Sequence, residues 1–184
     1  MALKAGTHRL GPHNATLSVH TRRGGAAAKA GHDLVIHVTS WEGTLEVADD
    51  PSDTRVELAA DATSLRVHEG TGGMQALGDD DRANIHQTID DEVLRRQDIA
   101  FRSTGARREN DGSAIAVEGD LTLVGVTRPV EFTLAVDDAG RLSARAVVTQ
   151  SRWGIKPYSA LFGALKVLDE VEVVLDGHRQ GQSR

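Results

Sequence analysis

Apolar side chains recur at every second position along much of this chain, and that period constrains the fold more than any other feature. Val130, Phe132, Leu134 and Val136 alternate with Glu131, Thr133 and Asp137. Val171, Val173 and Leu175 do the same with Glu170, Glu172 and Asp176 between and after them. Leu34, Ile36 and Val38 carry the alternation into Trp41, Leu45 and Val47, and Val56, Leu58 and Ala60 follow. A period of two puts one set of side chains on each face of a strand, so each run describes a strand with one apolar face. Weaker runs cover Leu17–His20, Ile99–Ser103, Ile115–Leu123 and Leu142–Val148. The expectation is an all-β chain, β-rich with one helix, of about eight strands.

Turn residues separate these runs. Asp49-Asp50-Pro51-Ser52, Asn110-Asp111-Gly112 and Asp137-Asp138-Ala139-Gly140 each fall between two of them, and the last two are short enough to make their strands antiparallel neighbours. Many short strands joined in this way point to a sandwich or an up-and-down barrel. Residues 79–97 break the pattern. Asp79, Asp80 and Asp81 suit a helix N-terminus, Ile85, Ile89 and Val93 recur every four residues, and Arg95 and Arg96 suit the far end, so one amphipathic helix is predicted there. Residues 66–78, rich in Gly, are expected to form a mobile loop, and Lys156–Lys166 an irregular segment with one helical turn. With no repeat and no linker, the 184 residues form one domain, its core about 7–176 and its polar tail 177–184.

Composition narrows what such a domain can do. Aromatics make up 3% against 39% for all hydrophobic residues, so the interior must be aliphatic. A net charge of −6 gives no general attraction to nucleic acid or to an anionic membrane. The absence of cysteine removes disulfides, thiolate nucleophiles and Cys-ligated metals. Met1–Gly25 contains no apolar run of signal-peptide length, and no segment approaches a membrane span, so a cytoplasmic protein without a signal peptide or integral membrane segment is expected.

The chemistry-bearing residues are sparse in pattern. His32 and His37 are five apart, as are His8 and His13, so each pair points to opposite faces of an extended segment, and no His-x-His occurs. His86 and Asp90 stand four apart on the predicted helix, either as two ligands or as an exposed hydrogen-bonding pair. No metal site and no cofactor is expected. Gly70-Thr71-Gly72-Gly73-Met74-Gln75 begins like a dinucleotide fingerprint but lacks the surrounding βαβ unit, and no nucleophile elbow is present. His32, beside Asp33 at a strand entrance, faces either a cavity, where it binds a polar headgroup, or a neighbouring loop, where it makes a structural hydrogen bond.

Two C-terminal segments carry more than pattern. Leu121-Thr122-Leu123-Val124-Gly125-Val126-Thr127-Arg128-Pro129-Val130 resembles the hairpin motif of the YceI-like family of lipocalin-like bacterial proteins, and Ser151-Arg152-Trp153-Gly154-Ile155 resembles its Arg/Trp-Gly-Ile element. Leu168–Val173, Ile99–Thr104 and Trp41–Leu45 match the family in order and spacing, so the resemblance spans about Thr7 to Asp176. Gly11-Pro12-His13-Asn14 departs from the usual Asp-Pro and His-Ser pattern, and Gln97 stands where a Pro is common.

The resemblance implies an extended antiparallel eight-stranded lipocalin-like β-barrel with a helix at its side. It also implies an apolar tunnel for an amphiphilic lipid ligand such as a polyisoprenoid, an isoprenoid quinone or a fatty-acid derivative. Binding, transport or storage of that ligand is then the function, without enzymatic chemistry, and dimers occur in such families. On this reading Leu34, Ile36, Val38, Trp41, Leu45, Phe101, Leu121, Leu123 and Phe132 line the tunnel. Trp153 and Phe162 stand at its mouth, with His32 and Arg152 near a headgroup. Two alternatives stay open: an enzyme acting on such an amphiphile with His32 and Asp33 as acid and base, and a solidly packed protein-interaction module without ligand.

Overall fold

The computed structural model describes residues 5–109 and 113–177. The alternating runs are strands: β1 Gly6–Leu10, β2 Ala15–Thr21, β3 Arg23–Gly24, β4 His32–Val38, β5 Trp41–Val47, β6 Arg55–Ala60, β7 Leu65–Gly72, β8 Ile99–Glu109, β9 Ala114–Leu123, β10 Val126–Val136, β11 Leu142–Thr149, β12 Ser159–Ala160, β13 Leu165–Val167 and β14 Glu170–Gly177. Eleven of them form one antiparallel sheet in the order β1-β5-β6-β8-β9-β10-β11-β14-β2-β4-β7, and β12-β13-β3 form a small second sheet. The eleven-stranded sheet is strongly curled: Leu10 of β1 and Leu65 of β7, from opposite ends of that order, line the same cavity.

The count of eleven, against the eight expected, comes from corners. Residues 6–21, 32–47 and 55–72 are each split in two by a short bend. At Gly11 the N–H donates to Asn14 Oδ1 at 2.9 Å, separating β1 from β2. At Asp61 the carboxylate accepts from both the N–H and the hydroxyl of Thr63 at 2.8 Å, separating β6 from β7. Each half then pairs with a different neighbour, β5 with β1 and β6, and β4 with β2 and β7. The two halves stay tied across the corner, where the Thr39 N–H donates to the Ser64 carbonyl and the Asp61 N–H to the Ser40 carbonyl, both at 3.0 Å. Each corner also switches the inward parity, from Val38 to Trp41 and from Ala60 to Leu65, so a period-two reading that carries one run into the next passes over the break.

Only the second half of the Gly-rich stretch, residues 73–78, is a loop. Residues 65–72 are β7, paired with β4 from Val38↔Leu65 to His32↔Gly72, with a bulge that leaves His68 on the outer face. A Cβ at Gly70 would lie 2.2 Å from Leu77 Cδ1, so the glycine lets Leu77 pack directly over the strand. The predicted helix is α1, Asp79–Thr88, followed by a π-turn at Ile89–Val93 in which the Leu94 N–H donates to the Ile89 carbonyl at 2.8 Å. That wider turn brings Leu94 inward beside Ile89, a contact that a four-residue stripe does not anticipate.

The Lys156–Lys166 segment holds β12, a short 3-10 turn and most of β13. The Asp137–Gly140 turn joins β10 to β11 as expected, with Asp137 Oδ1 accepting from the N–H groups of Ala139 and Arg141. β8 and β9 are antiparallel partners, while the turn 110–112 between them and the tail 178–184 lie outside the described residues.

Candidate functional site: an apolar cavity inside the curled sheet

The core is three hydrophobic clusters rather than one. The first joins β2, β4, β7 and the helix, the second centres on Leu45, Phe101, Val117 and Leu134, and the third on Leu123, Val148, Trp153 and Ile155. Leu10, Val19, Leu58, Leu121, Val130, Val173 and Leu175 each touch two clusters, yet all are only partly buried. The reason is that each borders a shared void of about 400 Å³. A curled sheet whose inward side chains are mostly Val and Leu leaves its axis unfilled, since these side chains are too short to meet across it.

Of the residues expected to line a tunnel, Leu34, Ile36, Val38, Trp41, Leu45, Phe101, Leu121, Leu123 and Phe132 all border this cavity. The Phe101 and Phe132 rings stand 5.4 Å apart at 57°, packed on each other along one wall. The helix supplies Ile85, Ile89, Val93 and Leu94 as a further wall. Sequence reading gave these helix residues no cavity role. It also left Leu10, Val19, Ile99 and Val130 unassigned, although Val19 and Val130 sit on the parity of recognised apolar runs.

Four expected residues lie elsewhere. Trp153 is 1% exposed and does not border the cavity; it packs in the third cluster, and its Nε1–H donates to the Leu121 carbonyl at 2.9 Å. Phe162, 114% exposed, points away from the protein. His32 Nε2 sits 2.8 Å from the Gln75 carbonyl and pins that segment to β4, and Arg152 places its guanidinium 5.7 Å from the Trp153 ring. Neither His32 nor Arg152 borders the cavity. Asp33 is engaged too, accepting from the Arg23 N–H at 2.8 Å and facing Arg22 at 3.7 Å.

Polar groups in the lining are few. Gln150 donates to the Leu168 carbonyl, and Arg145 pairs with Glu172. Thr21, Thr44 and Glu57 on the strands, Asn84 and Thr88 of α1 and Tyr158 before β12 are the other polar residues along the wall. Trp41 Nε1 and Asp90 Oδ1 are buried polar atoms without a hydrogen-bond partner among the described residues. His86, read with Asp90 either as two ligands or as an exposed hydrogen-bonding pair, instead accepts a hydrogen bond from the Val67 N–H at 2.9 Å. On the outer face of β4 and β7, the His37 and His68 rings stack at 4.0 Å. Burial holds His37 below the usual histidine range, helped by His68 and His20. Among the described residues no group of His, Asp and Glu is arranged to hold a metal ion, and no helix is long and apolar enough to cross a membrane.

A family model described as the YceI-like domain matches residues 12–178, almost all of the sheet that builds this cavity. The chain belongs to the YceI-like family. Among solved structures, it is similar to BcnA of Burkholderia cenocepacia, at 14% identity and a TM-score of 0.59, over 88% of this chain and 94% of that one. A Campylobacter jejuni YceI protein that crystallises with large solvent channels matches 77% of this chain and 83% of its own, at 13% identity and a TM-score of 0.44. No curated protein matches the sequence significantly. The YceI-like match begins at Pro12, just past the Gly11 corner, so β1 lies outside it.

Proposed function

We propose that this chain binds, carries or stores an amphiphile with a long apolar tail, held inside the curled sheet without chemical conversion. Its ligand class is a polyisoprenoid, an isoprenoid quinone or a fatty-acid derivative. The single observation that carries the reading is a cavity of about 400 Å³ whose bordering side chains are overwhelmingly Val, Leu, Ile and Phe. A void of this size falls within the roughly 300–1,000 Å³ of small-molecule sites, and walls with few hydrogen-bonding groups favour a ligand recognised mainly by area and shape. The cavity also weighs against a solidly packed interaction module. Counting each corner-split pair as one bent strand reduces the eleven strands to eight runs, which supports reading the curled sheet as a lipocalin-like barrel.

Each methylene transferred from water into such walls contributes about 0.8 kcal/mol, so a tail of a dozen carbons needs no ionic anchor to bind tightly. The acid–base alternative at His32 and Asp33 gains no support from their placement, since both are tied to neighbouring backbone away from the void. Organic extraction and native mass spectrometry of the purified protein test the proposal. A stoichiometric co-purified lipid, or uptake of added ubiquinone or a polyprenol, is expected. Finding neither would overturn it.

A further inference from the structure

The hairpin of the small sheet ends in a turn that folding alone does not call for. Leu161 and Phe162 both adopt the left-handed backbone region, with φ of 52° and 55°, which side chains other than Gly and Asn avoid. Phe162 is 114% exposed and Leu161 59%. An Asn-Gly pair would accept the same backbone without strain and without exposing a large apolar surface. The base of the hairpin is firmly held. The Ala27 N–H donates to the Ala164 carbonyl at 2.7 Å and the Leu168 N–H to the Arg22 carbonyl at 2.8 Å. A Cβ at Gly25 would lie 2.3 Å from that same Ala164 oxygen, so glycine is required for the contact. A fixed base therefore holds an apolar tip outward.

Positive charge is concentrated in the segments that build this hairpin and its base. Residues 22–32 and 150–168 contain Arg22, Arg23, Lys29, Arg152, Lys156 and Lys166 and no acidic residue, so all 27 Asp and Glu lie elsewhere in the chain. The bordering carboxylates are Asp33, which faces Arg22, and Asp169, which accepts from the Ser151 N–H and hydroxyl. Lys29, Lys156 and Lys166 are exposed and form no ion pair among the described residues. The same hairpin reaches the cavity, because Tyr158 and Val167 border it.

We propose that Leu161, Phe162 and the surrounding cations form a docking surface for an anionic lipid bilayer, from which the cavity exchanges its occupant. Docking stands on the tip and its charge alone; exchange rests on the ligand-binding reading above. An apolar tip flanked by cations fits the boundary between headgroups and acyl chains, where each Lys near an anionic surface changes partition by about fivefold.

Cosedimentation of the full chain with vesicles of phosphatidylglycerol and phosphatidylcholine in equal parts, and with phosphatidylcholine alone, tests the docking. Binding to the mixed vesicles is expected to exceed binding to the neutral ones by at least about tenfold and to fall in high salt. Leu161→Asn with Phe162→Gly is expected to lower binding by about fivefold or more while raising the melting temperature, because it removes strain together with the apolar tip. Lys156→Gln with Lys166→Gln is expected to lower binding to the mixed vesicles only. Equal partition onto both vesicles, or unchanged binding by the tip variant, overturns the proposal. So does a tip variant that loses self-association in vesicle-free gel filtration while wild-type vesicle binding is absent, which would assign the surface to a second copy. A chain that docks but carries no lipid would refute the ligand-binding reading and leave docking standing. A chain that carries lipid but ignores vesicles would do the reverse.

Discussion

Gly119 shows how one missing side chain shapes the cavity wall. It faces inward on β9 between Val117 and Leu121, and a Cβ there would lie 2.4 Å from Phe101 Cζ and 2.5 Å from the Arg102 carbonyl oxygen. The Phe101 ring occupies that space, which lets it lie along the wall against Phe132. The backbone oxygen cannot retreat without disturbing the β8–β9 ladder, whose register already shifts between Ser103 and Gly105. Gly119→Ala is therefore expected to destabilise the protein by about 1–3 kcal/mol. The measurement is the urea midpoint, at unchanged slope. An unchanged midpoint would mean that the ring moves freely and is not part of a fixed wall. The expected Trp153 gate fails at the same scale: membership of a recognised motif does not say where the indole packs, and it is buried in the third cluster off the cavity.

Among the elements, α1 matters less as a lid than as cover for an edge. β7 is the last strand in the sheet order, and its Val67 backbone is satisfied by the helix: the N–H donates to His86 Nε2, and the carbonyl accepts from Arg82 Nη1, both at 2.9 Å. Side chains thus complete the edge strand's hydrogen bonding and close it to a further strand. His86 can accept only when neutral. Burial holds it below its ordinary value, with Arg66 and Arg82 adding to the effect and Asp90 opposing it. A histidine whose folded pKa lies below the unfolded value near 6.5 contributes its full stability above that pH, and loses it as the pH falls toward the folded value. His37, lowered by burial and by His68 and His20, acts in the same direction. The melting temperature is expected to fall between about pH 7 and pH 5. His86→Gln, which retains an acceptor but cannot titrate, should flatten part of that fall. A variant with the wild-type slope would show that the helix contact does not report protonation. Exposed clusters such as Arg107 with Glu118 and Glu131 are expected to add little.

For the whole molecule, the decisive property is that the inward face does not fill its own interior. Val173 lies on β14, is partly buried and borders the cavity, so a larger side chain there should occupy void rather than displace core. Val173→Trp is expected to reduce uptake of a quinone or polyprenol by about tenfold or more, with the melting temperature unchanged or raised. Lost stability together with retained uptake would show that the void is not the ligand's place. Net charge is a poor guide at this scale as well. The value of −6 argues against membranes when averaged over the chain, yet it conceals a segment pair with six cations and no carboxylate, one of which carries the exposed tip.

Sequence alone determined the strand parity, because the alternation of Val130, Phe132, Leu134 and Val136, and of Val171, Val173 and Leu175, permits only one apolar face per strand. Motif order determined the family, and the nine wall residues named from parity and resemblance all border the cavity. Neither could place the corners at Gly11, Thr39-Ser40 and Asp61, which switch the inward parity and change each strand's partner. Nor could they turn His32 toward Gln75, bury Trp153 or send Phe162 outward, since each depends on what a distant segment leaves open. Whether the interior closes on itself or encloses a void was likewise a tertiary outcome. The pattern specifies which side chains point inward, but the curvature of the sheet decides how far apart they end.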